Sequence, residues 1–176
     1  MDLILLAGNS QNNKDWIEEV EQSLRPYFGR TVLQYYKHWL SGQNLIDLEG
    51  ELKELVKITE NLQDYTIFAK SAGVVLAIKG IFEKAIRPQK CVFIGTPVLW
   101  SKEKNFSLDK WIENFATPSL FIQQQHDPAM PADDLKKYLR EHKVTNYKFI
   151  IMPGESHHYA DLERLKKLVL EFKSLV

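Results

Sequence analysis

The chain of 176 residues holds a single cysteine, Cys91, so no intramolecular disulfide can form and the fold does not depend on an oxidising compartment. It has no charge excess either: 23 lysine and arginine side chains balance 23 aspartates and glutamates, leaving no global field to concentrate nucleic acid. Glycine and proline number only 8 and 7 and nowhere gather into a linker, a low-complexity tract or a repeat. One domain spanning residues 1–176 is therefore expected. No apolar run is long enough to cross a bilayer. The opening Met1-Asp2-Leu3-Ile4-Leu5-Leu6-Ala7-Gly8 lacks the basic start of a secretory leader and reads as a first strand. These absences predict a cytoplasmic protein with neither nucleic acid nor membrane as partner, and they leave the oligomeric state open. At 44% hydrophobic and 26% charged residues, the composition is that of a globular domain. A chain of this length buries roughly two-thirds of its unfolded surface.

Short, nearly continuous apolar runs recur at Leu3–Leu6, Thr31–Leu33, Thr66–Ala69, Cys91–Ile94, Leu120–Ile122 and Phe149–Ile151. They lack the polar alternation of a half-solvated sheet and so read as strands buried on both faces. Between them lie helical spacings: Trp16, Ile17, Val20, Leu24; then Leu48, Leu52, Leu55, Thr59, Leu62; then Leu162, Leu165, Val169, Phe172. The alternation predicts an α/β fold, a mostly parallel six-stranded sheet with helices on both faces. Such sheets bind ligands at the carboxyl ends of their strands. The residues that follow the strands here are Gly8-Asn9-Ser10, Ser71, His126-Asp127 and Gly154-Glu155-Ser156-His157-His158. A nucleophile, an acid and a base therefore share one edge.

Tyr65-Thr66-Ile67-Phe68-Ala69 runs through Lys70-Ser71-Ala72-Gly73 into the wholly apolar Val74-Val75-Leu76-Ala77-Ile78, which reads as strand, tight turn and buried helix. A serine in such a turn is held proud of the sheet, and small neighbours are needed because the backbone comes close on both sides. Ala72 opens the helix, so its free N–H can hold a developing oxyanion. Read plainly, Ser71 could also be a helix N-cap and Asp127, before Pro128, a turn former.

Ala69-Lys70-Ser71-Ala72-Gly73 resembles the G-x-S-x-G nucleophile elbow of the α/β-hydrolase superfamily, with Ala69 in place of the first glycine. Pro118 to Pro128 resembles the late strand and acid loop of dienelactone-hydrolase-like members, small and lidless. Met152-Pro153-Gly154-Glu155-Ser156-His157 resembles their G-x-x-H histidine loop. The likeness runs over nearly the whole chain and follows the superfamily order of serine, acid, histidine. It implies a serine hydrolase acting on a small carboxylic ester or thioester, with Ser71 as nucleophile, Asp127 as acid, His157 as base and no cofactor. It also implies an oxyanion hole from the N–H groups of Ala72 and Asn9. Ser10 is the near alternative to Asn9, and Ala7 stands where many relatives carry histidine. His158 competes with His157 should the loop sit one residue later. Asp133 and Asp134 instead suit the first turn of a helix.

Ser10, Lys70, Trp100 and Trp111 are candidate pocket residues, with Phe106 and Phe115 as further aromatics of the same stretch and Tyr36, His38 and Trp39 as a possible opposite wall. Cys91 opens the fourth strand, away from that edge, and reads as an inert buried thiol. No metal site is expected, because His126-Asp127 and His157-His158 are adjacent pairs that do not converge and no helical histidine motif supplies a third ligand. Two other readings compete: an inactive hydrolase-fold binding or interaction module, and a flavodoxin-like nucleotide or phosphate binder that leaves the ordered serine, acid and histidine unexplained.

Overall fold

In the computed structural model, which describes residues 1–175, the apolar runs become strands β1 (Asp2–Leu6), β2 (Thr31–Gln34), β3 (Tyr65–Lys70), β4 (Lys90–Ile94), β5 (Ser119–Gln124) and β6 (Tyr147–Met152). They pair in the order β2-β1-β3-β4-β5-β6, all parallel. β3 and β5 are buried along their whole length, as are β1 and β4 past their first residue. The edge strands β2 and β6 are not, because each has a neighbour on one side only.

Helices α1 (Asn13–Leu24), α2 (His38–Ser41), α3 (Leu48–Thr59), α4 (Ala72–Phe82), α5 (Val98–Glu103), α6 (Leu108–Ile112), α7 (Ala132–Glu141) and α8 (Leu162–Lys173) fill the connections. α1 packs with α8, and α4 packs with α3 and α6, which puts helices on both faces of the sheet. Local chemistry sets several ends. The Asp47 carboxylate accepts from the Gly50 N–H at the start of α3, and that of Asp161 accepts from Arg164 N–H at the start of α8. α4 is buried from Ala72 to Gly80, as its apolar run from Ala72 to Ile78 requires, and the one charged residue of that stretch, Lys79, is ion-paired to Glu49 and Glu83. Each fully buried aliphatic side chain there contributes about 1.5–3 kcal/mol of transfer free energy.

The chain leaves β1 for β2 on one side and then crosses to β3 on the other. This reversal opens a crevice at the carboxyl ends of β1 and β3. The aromatic stretch before β5 forms two short helices, with Trp100 against Phe106 at 5.5 Å and Phe115 against Phe93 at 5.9 Å between ring centres. Cys91 is fully buried near the opposite end of the sheet, and burial pushes its thiol well above the usual range. Among the described residues, no helix is long and apolar enough to cross a membrane.

Candidate active site

Ser71 sits at the sharp junction of β3 and α4 with φ 52° and ψ −117°, a conformation that costs a non-glycine residue about 1–3 kcal/mol. Its neighbours hold it there. The Ser71 N–H donates to the Ile94 carbonyl at 2.9 Å, and the Gly73 N–H donates to the Ala7 carbonyl at 2.9 Å. A Cβ on Gly73 would lie 2.6 Å from the Leu6 carbonyl oxygen and 2.8 Å from that of Ala7, so the elbow closes against β1 only with glycine at this position. The Ser71 side chain makes no cap hydrogen bond to α4, although Ser71 stands at the N-cap position, and the residue lines the cleft.

Asp127, 0% exposed, follows β5 by three residues. Both its carboxylate oxygens lie 2.9 Å from His157 Nδ1. One also accepts the Ala129 N–H at 2.8 Å, so the turn role read from Asp-Pro holds alongside the histidine contact. The other accepts the Tyr159 hydroxyl at 2.7 Å. That hydroxyl accepts in turn from the Gln124 N–H at 3.0 Å, and burial together with the Asp127 charge raises the phenol's pKa well above the usual range. With Nδ1 facing the carboxylate, Nε2 is the basic nitrogen. It is buried and has no hydrogen-bond partner among the described residues, Ser71 Oγ included. Such contacts commonly close only when substrate binds. His158 is exposed, does not line the cleft and is engaged through its carbonyl.

The histidine loop is fastened to β5 by Gln124, whose Oε1 accepts the Ser156 N–H at 3.0 Å and whose Nε2 donates to the His158 carbonyl at 2.7 Å. Beside it, Gln123 Oε1 accepts the Thr96 N–H and Nε2 donates to the Met130 carbonyl, tying the loops after β4 and β5. Gly95, at φ 59°, passes so near that a Cβ would lie 2.8 Å from His157 Cε1. Sequence reading missed Tyr159, Gln123, Gln124 and Gly95. The Gln123-Gln124-Gln125 run at the end of an otherwise apolar strand was the one available signal, since buried amides need partners.

The N–H groups of Asn9 and Ala72 have no hydrogen-bond partner among the described residues, and Asn9 lines the cleft. Asn9 is held on three sides. Its carbonyl accepts from His38 Nε2 at 2.6 Å and Trp39 Nε1 at 2.9 Å, and its side chain bonds Asn44 and Ile46 backbone. His38 and Trp39 thus act behind Asn9, bordering a side recess of about 270 Å³. The cleft at Ser71, about 460 Å³, is lined by the polar Ser71, His157, Asn9, Ser10, Asn13, Lys70 and Glu103 together with Pro97, Leu99, Trp100, Pro128 and Ala129. Trp111 is a correction. It does not line the cleft but lies under Lys79 of α4, its ring centre 5.3 Å from Nζ, because α6 turns that residue onto α4.

No protein-family model matches the chain, and no curated protein matches it by sequence. Solved structures do match. Est1E from Butyrivibrio proteoclasticus, solved with ferulic acid bound, has a TM-score of 0.75 at 15% identity, covering 98% of this chain and 87% of its own. A serine hydrolase involved in carbazole degradation, the CarC enzyme, gives 0.74 at 14%, covering 100% and 92%. The α/β hydrolase domain-containing protein 10 from mouse gives 0.72 at 12%, covering 98% and 89%. The fold is thus the α/β-hydrolase fold; the narrower likeness to dienelactone hydrolases rests on the sequence motifs alone.

Proposed function

We propose that this α/β-hydrolase-fold chain is a serine hydrolase that cleaves a small carboxylic ester or thioester through an acyl-enzyme on Ser71. The observation that carries the reading is the Asp127–His157 pair, which leaves a buried, unpartnered Nε2 in the same cleft as a serine held in a strained elbow. Nε2 takes the hydroxyl proton as Ser71 Oγ attacks the carbonyl carbon. Asp127 fixes the imidazole tautomer and stabilises the imidazolium. The N–H groups of Ala72 and Asn9 hold the oxyanion, each contributing on the order of 10²–10³ in rate. The imidazolium returns its proton to the departing alcohol or thiol. Water then adds to the acyl-enzyme by the same route, releasing the acid and restoring Ser71. None of these steps calls on a cofactor, and the substrate is a small molecule.

The test is labelling by a fluorophosphonate together with turnover of short p-nitrophenyl esters. The wild type should be labelled on Ser71 and should hydrolyse the ester, and Ser71→Ala should do neither while remaining folded. A wild type that is neither labelled nor active would leave the binding-module reading.

A further inference from the structure

The chain buries two lysines, and they are provided for differently. Lys79, 3% exposed, holds an ion pair to Glu49 at 2.8 Å and a second to Glu83. Lys70, 4% exposed, has no carboxylate within 4.0 Å among the described residues. Its Nζ donates to Asn13 Oδ1 at 2.6 Å and lies 5.3 Å from the centre of the Trp16 ring, so both of its close partners are neutral. Among the described residues, Asn13 Oδ1 is the one acceptor for its three ammonium protons. Asp127 attracts it from a distance but is already engaged by His157, Tyr159 and Ala129. Burying an unpaired charge is costly, and burial draws this lysine down to about 8. The residue lines the cleft directly before Ser71 in the chain, alongside Asn13 and Ser10.

We infer that Lys70 is the receptor for a carboxylate carried by the substrate, so that the ester cleaved at Ser71 belongs to a short dicarboxylic half-ester or a comparable acid. The inference rests on the cleft being a substrate site and names the class of its occupant. One ammonium and an asparagine beside it match one negative charge. Besides His157, which is held by Asp127, the other ionisable side chain that lines the cleft is Glu103, which is exposed and paired with Lys104. A phosphate dianion would meet a single lysine and the Glu103 carboxylate, so a monoanionic carboxylate is the better match. The apolar lining of Pro97, Leu99, Trp100 and Pro128 suits an apolar leaving group.

Binding can be measured apart from turnover in a Ser71→Ala background, by NMR titration of 15N-labelled protein with monomethyl glutarate and, separately, with dimethyl glutarate at pH 7. The half-ester should bind at least tenfold more tightly, with shifts concentrated at Asn13, Lys70 and Ser71→Ala, and adding Lys70→Met should erase that preference. Equal affinity for the two esters overturns the assignment without any Lys70 variant, as does a preference that survives Lys70→Met. Fluorophosphonate labelling of the wild type judges the hydrolase reading separately, so either idea can fail while the other stands.

Discussion

At Ser71 the chain stores strain where the proposed chemistry occurs. A φ of 52° with ψ −117° is unfavourable for serine and open to glycine. Ser71→Gly should therefore be inactive and yet more stable than the wild type by about 1 kcal/mol, read from urea midpoints. A loss of stability would mean that the elbow is not strained. Tyr159 is a positioning residue, since its hydroxyl touches Asp127 and not the cleft. Tyr159→Phe removes one donor to a buried carboxylate and leaves the Gln124 N–H without an acceptor, a change worth about 1–3 kcal/mol. Ester hydrolysis should fall roughly tenfold in kcat with KM little changed, because the tyrosine orients the acid rather than binding substrate. A change confined to KM would place Tyr159 in the pocket instead.

Elements matter here as platforms joined by buried amides. β5 carries Gln123 and Gln124 at its carboxyl end, and through them it grips the loops after β4 and β6. Gln124→Leu keeps the volume but cuts the side-chain bonds to the Ser156 N–H, the Ser156 hydroxyl and the His158 carbonyl. Amide hydrogen exchange should then accelerate across residues 154–158 with β5 itself still protected, and activity should drop with it. Unchanged exchange in that loop would show that the Asp127–His157 contact alone is sufficient to hold it. At this scale much of the layout was legible in advance. All six apolar runs became strands, and each edge residue named as a nucleophile, acid or base lies after the strand expected to carry it. Trp111 was misread because a run of aromatics does not disclose which helix face each one occupies. Here α6 turned toward α4, not toward the cleft.

For the whole molecule, alkaline pH sets two groups of buried side chains against each other. Cys91, Tyr36, Tyr138 and Tyr159 are all raised by burial above their ordinary values of 9.0 and 10.0. The unfolded chain loses these protons first, so the stability they supply is present at neutral pH and is lost as pH climbs past those ordinary values. Lys70 works the other way. Its native value of about 8 lies below the ordinary 10.5, so between the two the unfolded chain holds the extra proton and this residue's contribution rises with pH. The wild type should therefore lose stability only slowly between pH 8 and 10, while Lys70→Met, lacking the opposing rise, should lose it more steeply. Urea midpoints at pH 7, 8.5 and 10 measure the difference. Parallel curves would show that Lys70 titrates normally.

The sequence by itself determined the layers, the strand order along the chain and the edge on which chemistry could gather, because apolar periodicity and turn residues act over a few neighbours and survive in a linear reading. It also limited the base to His157 or His158 and the first-loop donor to Asn9 or Ser10. Only the tertiary structure put Nδ1 of His157 on Asp127, since that contact spans 30 residues and depends on how Gln124 and Gly95 admit the loop. The unmatched charge of Lys70 is likewise a property of the folded chain. A lysine before a serine looks solvated in a sequence, and its isolation arises because β3 carries it beneath α1, where Asn13 and Trp16 are its close neighbours and no carboxylate lies within reach.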